Sequence, residues 1–183
     1  MAGNSIGLVE LSSIAAGYEA ADAMLKSADV ELLLARSICS GKFIVMVRGS
    51  VASAEASVAA GSQAGGASVV DTLVIPNVHG SLFPALSGCV TVERLEALGI
   101  VETFSVSSLL EAADAAAKAA SVRLLEIRLA MALGGKAYVT LTGSVSAVRS
   151  AVEAASQAAS RKGLLVNRAV IPNPRPELAA ERI

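Results

Sequence analysis

The sequence predicts an α/β chain of two tandem domains, each ordered strand-helix-strand-strand-helix-strand. Three observations carry that prediction. Ile6 to Asn77 and Gly99 to Asn173 are two copies of one sequence. Gly7, Glu10, Glu19, Asp22, Lys26, Leu33 and Arg36 recur 92 positions later as Gly99, Glu102, Glu111, Asp114, Lys118, Leu125 and Arg128. The spacing slips by two before Gly41-Lys42 matches Gly135-Lys136, and by two again before Ile75-Pro76-Asn77 matches Ile171-Pro172-Asn173. Each copy also alternates short apolar runs with Ala-rich stretches of helical spacing. Finally, 183 residues suit two domains of the lower typical size, divided as 1–88 and 89–183. A unit this long that occurs only twice is not a solenoid repeat.

An apolar strand opens each copy, Ile6 to Leu11 and then Gly99 to Phe104. A serine follows, Ser12 or Ser13 and later Ser105 or Ser107, suited to accept from the first free N–H groups of a helix. That helix shows apolar spacing at Ile14, Tyr18, Ala21, Leu25 and Ala28, and at Val106, Leu110, Ala113, Ala117 and Ala120. Two strands with a Gly-containing loop come next: Glu31 to Arg36 with Phe43 to Arg48, and Val122 to Arg128 with Ala137 to Thr142. Gly49-Ser50 and Gly143-Ser144 end the strand and cap a second, Ala-rich helix. Last strands at Val69 to Ile75 and Leu164 to Ile171 stop at Ile-Pro-Asn, where proline cannot continue the ladder. This order is that of the ferredoxin-like unit, an α+β sandwich. Gly80, Pro84 and Gly88 break the hinge from Val78 to Leu98, and the polar tail Pro174 to Ile183 is expected on the surface.

Composition excludes several functions. Hydrophobic residues make up 54% and charged residues 17%, apolar for a soluble chain. No uncharged apolar run reaches membrane-spanning length; the most apolar stretch, Leu124 to Leu133, carries Glu126 and Arg128. The apolar excess is therefore assigned to subunit interfaces. A net charge of −1 gives no electrostatic case for nucleic acid or an anionic membrane. The first residues show no signal peptide, and two cysteines make no disulfide framework, so a cytoplasmic protein is expected. No P-loop, nucleophile elbow or paired His/carboxylate spacing appears. Glu10 and Glu102 are copies of one residue, not an acid and a base. The chain does not read as an enzyme.

Glu19-Ala-Ala-Asp22-Ala-Met-Leu-Lys26, Ser37-Ile-Cys-Ser-Gly41-Lys42-Phe and the twin Ile-Pro-Asn ends resemble the tandem-domain shell proteins of bacterial microcompartments. The likeness covers nearly the whole chain and reaches to the trimeric, iron-sulfur type of propanediol-utilisation compartments. It implies two tandem ferredoxin-like shell domains and a homotrimer that forms a pseudohexamer beside hexameric and other shell proteins. It further implies a threefold pore lined by Ser37, Ile38, Cys39, Ser40 and Gly41 and by the loop Leu129 to Gly135, with Met131, Ala132, Leu133 and Gly134. Lys26 and Lys118 match the family's edge lysine. His79 and Arg175 stand near its strand-end arginine, a partial match.

A lone cysteine is ordinarily a small buried hydrophobe. Cys39, however, sits in a Ser/Gly loop, and Met131 takes its place in the second copy. Around a trimer axis the thiol would appear three times, which suits a soft metal. The resemblance implies a [4Fe-4S] cluster shared by three chains through Cys39, with electron relay across the shell to encapsulated redox enzymes. A three-sulfur zinc site and a plain pore thiol remain open. Cys89, among Leu86, Val90 and Val92, reads as core. Two other functions compete: a metal-free pore tile for metabolite transport, and a small-molecule sensor with twin ferredoxin-like domains.

Overall fold

A computed structural model describes residues 3–92, 95–175 and 177–180. The chain divides into two compact units, Met1–Val78 and His79–Ile183. That division lies earlier than the 88/89 boundary read from the sequence. The reason is that the stretch after Val78 belongs with the second unit: the His79 N–H donates to Asp114 Oδ1 at 2.8 Å, and Leu82 and Ala85 are buried.

The first unit runs β1 (Ser5–Leu11), α1 (Ile14–Ser27), β2 (Val30–Ile38), β3 (Lys42–Gly49), α2 (Val51–Gly65) and β4 (Val69–Ile75). The second begins with a short helix, α3 (Leu82–Leu86). It repeats the order as β5 (Ala97–Thr103), α4 (Val106–Ala119), β6 (Arg123–Leu129), β7 (Ala137–Gly143), α5 (Val145–Ser160) and β8 (Leu165–Pro172), and closes on α6 (Glu177–Ala180). The sheets are antiparallel, ordered β2-β3-β1-β4 and β6-β7-β5-β8. This is the ferredoxin-like arrangement the element order predicts.

Serine sets each helix start. Ser13, Ser50, Ser105 and Ser144 accept through Oγ from the N–H groups of Ala16, Ser53, Ser108 and Ala147. Each cap is worth about 1 kcal/mol against alanine. Of the serines that competed for the first helix of each copy, Ser13 and Ser105 hold the cap. Side chains of a strand alternate faces. Gly7 of β1 points at Ala54 and Val58 of α2, and Gly99 of β5 at Val148 and Val152 of α5. The first-unit core therefore gathers Val9, Leu11, Ala20, Met24, Phe43, Val45, Val47 and Val58 between sheet and helices.

Three expectations need correction. Of the stripe along α1, Ile14, Tyr18 and Leu25 are exposed and Ala21 is buried; with Ala21 the helix buries Gly17, Ala20 and Met24. The hinge is not merely broken, for its glycine and proline shape α3. Pro84 lies in the first turn, where a missing N–H costs nothing. Gly88, with φ 66°, ends the helix as the N–H groups of Gly88 and Cys89 reach the carbonyls of Ala85 and Pro84. Within that hinge, Glu93 and Arg94 lie outside the described residues. Lastly, β2 extends to Ile38, two residues beyond Arg36, because Ser37 and Ile38 pair with Phe43 and Lys42. The last strand of the second copy likewise takes in Pro172, opposite Ala97.

Candidate functional site

The turn between β2 and β3 is a single 3₁₀ turn, Cys39–Gly41. Ser40 and Gly41 both have positive φ, 66° and 71°. A left-handed serine costs about 1–2 kcal/mol, so this turn is held by its surroundings. Its base is one such hold. Lys42 Nζ donates to Glu10 Oε1 at 2.8 Å, and Glu10 is buried on β1. Cys39 is half-buried at the start of the turn, Ser40 and Gly41 are exposed, and a Cβ at Gly41 would meet nothing within 4 Å. The turn thus opens to free space at Gly41, two residues after Cys39. Ser37 and Ile38 sit one step back in β2, with Ile38 buried.

The matching loop between β6 and β7 is longer and holds Met131, Ala132, Leu133 and Gly134. Ala130, Ala132, Gly134 and Gly135 all have positive φ. Met131 is exposed where the first copy has Cys39. Lys136 and Glu102 repeat the basal ion pair more loosely, at 3.7 Å. Sequence reading set Glu10 and Glu102 aside as catalysts and overlooked their lysine partners. The recurring Gly-Lys dipeptide was the available signal.

Among the described residues neither cysteine is in a disulfide, and no three His, Cys, Asp or Glu side chains of one chain gather as metal ligands. A thiolate cluster site would therefore have to draw one cysteine from each of several copies. Cys39 fits that requirement, being half-buried, at the start of a turn and followed by the small exposed residues Ser40 and Gly41. Cys89 was read as core, but it is exposed: the cap of α3 turns it outward, with its Sγ on the Ser87 carbonyl at 3.5 Å.

The remaining residues singled out in the sequence lie apart from the turn. Lys26 and Lys118 close the last turns of α1 and α4 and pair with Asp22 and Asp114, each at 2.6 Å. His79 is exposed after β4, with its ring Nδ1 2.8 Å from Ser81 Oγ. Arg175 is exposed after β8 and pairs with Glu177 at 3.3 Å. One polar group was not foreseen. On the second sheet Glu126 accepts from Arg128 Nε at 2.7 Å and from the Tyr138 hydroxyl at 3.2 Å. The Glu126 hydrogen bond holds the Arg128 guanidinium above its ordinary value. Burial, reinforced by Glu126, pushes the Tyr138 phenol up.

A family model described as the BMC domain matches twice, at residues 5–78 and 97–174. The chain belongs to the BMC-domain family. Its relatives are the structural shell proteins of bacterial microcompartments. The chain is 49% identical over 170 residues to the shell protein PduT of Citrobacter freundii, covering 93% of this chain and 92% of that one. Over 84 residues it is 40% identical to the shell protein EutM of Salmonella typhimurium, covering 46% of this chain and 85% of EutM. That match is one copy of the repeat. A solved microcompartment protein from Desulfitobacterium hafniense superposes with a TM-score of 0.92 at 50% identity, covering 96% of this chain and 98% of that one. Among the described residues no helix of this tandem BMC-domain chain is long and apolar enough to cross a membrane.

Proposed function

We propose that this BMC-domain shell protein is a facet tile, assembled as a homotrimer that imitates a hexamer and lies beside hexameric shell proteins. In this reading the Cys39–Gly41 turns of three copies, with the 129–135 loops, surround the central pore. Lys26, Lys118, His79 and Arg175 lie toward the tile's edges. The two BMC-domain matches support the tile, and the place of Cys39 carries the site: a half-buried cysteine that opens the turn between β2 and β3, two residues before Gly41.

Three Cys39 thiolates in one small volume repel each other unless a cation is present, which favours a soft metal centre. We assign them to a [4Fe-4S] cluster, which normally takes four cysteines, one per iron. One iron is then left to an outside ligand or to solvent. Such a centre supplies one-electron chemistry, and its place in a pore suits relay between the two sides of the shell and redox enzymes within. Cys39 would hold the cluster, while Ser40 and Gly41 would leave room for it and could offer backbone N–H groups to its sulfides.

Anaerobic purification with iron and sulfide counts tests this. The expected result is about one cluster per three chains and an electron paramagnetic resonance signal after reduction. Cys39→Ser should lose it, Cys89→Ser should keep it, and both should keep the assembly. Full iron in Cys39→Ser would overturn the assignment. An iron-free wild type that still assembles would favour a metal-free transport pore.

A further inference from the structure

Glu10 and Lys42 meet on one face of the first sheet. Leu11 lies opposite Phe43, and Glu10 opposite Ile44. Leu11 and Phe43 belong to the core between sheet and helices. Side chains alternate along a strand, so Glu10, Lys42 and Ile44 share the other face, with Lys42 as the diagonal neighbour of Glu10. Lys42 Nζ donates to Glu10 Oε1 at 2.8 Å, and the Glu10 side chain is only 6% exposed. From its other side β4 places Asp71 opposite Glu10. A buried carboxylate with a second one opposite needs a cation to stay charged, and Lys42 supplies it.

Lys42 is also the residue that closes the hairpin. It pairs with Ile38, so only Cys39, Ser40 and Gly41 lie between the strands. Ser40 has φ 66°, a backbone that a residue other than glycine keeps only where its surroundings impose it. The ion pair anchors one end of this turn, and the buried Ile38 anchors the other.

The second repeat has the same pair in slack form. Glu102 lies opposite Tyr138, with Lys136 two residues before it. Yet Lys136 Nζ stays 3.7 Å from Glu102 Oε2, too far for a hydrogen bond, and the Glu102 side chain is 35% exposed. Asn167 takes the place of the opposing carboxylate. Lys136 falls outside β7, and residues 130–136 separate the strands. The tight pair thus lies under the loop that carries a thiol, and the slack pair under the loop that carries Met131.

We infer that Glu10 and Lys42 are positioning residues for Cys39. The buried carboxylate holds the first residue of β3, that residue fixes the short turn, and the turn sets where Cys39 places its sulfur. The pair is neutral as a whole, so its part is to place the sulfur rather than to add charge beside it. A ligand shared among chains needs such support, because its geometry is set by the groups that hold it. The inference rests on the reading of Cys39 as the ligand of the site and names what orients it.

Alkylation of Cys39 by iodoacetamide tests it, in iron-free anaerobic protein with Cys89→Ser as background. Glu10→Gln and Lys42→Met each free the turn and should speed the reaction at least about threefold. Lys42→Arg, which can keep the pair, should restore the parent rate, and Lys136→Met should leave that rate unchanged. A cation acting by charge alone would split the first two variants, with Glu10→Gln faster and Lys42→Met slower, and that result would overturn the inference. Parent rates in both, or an equal gain in Lys136→Met, would overturn it too. If Lys42→Met does not fold, the paired change Glu10→Gln/Lys42→Met replaces it: a faster reaction supports positioning, and an unchanged one refutes it. Iron counts on the wild type are read separately. An iron-free wild type whose variants still react faster removes the cluster and leaves the positioning pair in place.

Discussion

In the first repeat α1 turns Ile14, Tyr18 and Leu25 to solvent; in the second, Val106, Leu110 and Ala117 at the same places of α4 are buried. The sheets differ in the other sense. On the face away from the helices, the first sheet carries buried Ile6, Leu8, Ile44 and Met46. The second carries Leu98, Ile100, Tyr138 and Thr140 there, all half-exposed. Leu34 has become Glu126 beside them, and Arg128 and Tyr138 satisfy its carboxylate. Backbone and topology were kept through the duplication while each copy adapted to its own surroundings. Polar side chains entered where one sheet face stayed wet, and α1 kept an apolar stripe that its own unit does not bury. A stripe of that kind, on a monomer, signals a partner.

The contrast extends to packing, and there it breaks most violently. A Cβ at Gly17 would come within 2.4 Å of Phe43 Cδ1. The second repeat has Leu109 and Ala137 at those two places, both buried. Large and small have changed sides of one contact between helix and sheet. Gly17→Leu should destabilise the chain by about 3 kcal/mol through overpacking, and Phe43→Ala by about 3–5 kcal/mol through the void it leaves. The double variant, which copies the second repeat, should recover about 1–3 kcal/mol of the sum in urea unfolding. Strict additivity would show that the two positions do not share one space.

Asp114 and Asp22 sharpen the comparison with a smaller effect. Asp114 is buried and accepts from Lys118 and the His79 N–H, whereas Asp22 is exposed and meets Lys26. Asp114→Ala should cost about 1–3 kcal/mol because it strands a backbone donor. Asp22→Ala should change the dissociated chain by less than about 1 kcal/mol. Equal losses in thermal unfolding would mean that His79 is not held through Asp114.

The smallest effect belongs to a pair that the first repeat lacks. Glu153 is held below its ordinary value by the Gln157 amide and then by Arg168. Ala59 and Thr72 occupy the counterpart positions. A depressed carboxylate adds stability above its unfolded value and loses it as pH falls through the folded one. Arg168→Ala should therefore raise the Glu153 midpoint followed by NMR titration. An unmoved midpoint would leave Gln157 as the sole cause.

Element order and helix caps were legible because duplication printed each signal twice: Ser13 and Ser105, Gly49-Ser50 and Gly143-Ser144. The covered face was legible for α4, where Val106, Leu110, Ala113 and Ala117 are buried, but not for α1. Ile14, Tyr18 and Leu25 have the spacing of a buried face, yet small residues let the other side approach the sheet, and Gly17 does so against Phe43. The hinge misled in the same way. Proline and glycine were read as breakers, whereas Pro84 and Gly88 begin and end a helix, and that helix decides that Cys89 is exposed. At the candidate site the turn and its cysteine were legible, but its length was not. Ser37 and Ile38 look like turn residues until Phe43 and Lys42 pair with them. The lysines under both loops were visible only as a copied dipeptide.

The exchange of Gly17 and Phe43 for Leu109 and Ala137 also bears on how the chain finds its fold. Two units of one fold synthesised in tandem invite each other's elements, and misassembly of neighbours is a characteristic failure of repeated domains. Here the wrong partners do not fit. With α4 laid on the first sheet, Leu109 would be driven into Phe43. With α1 on the second sheet, Gly17 would face Ala137 across a void. The divergence that looks neutral within each unit tells the nascent chain which helix belongs to which sheet.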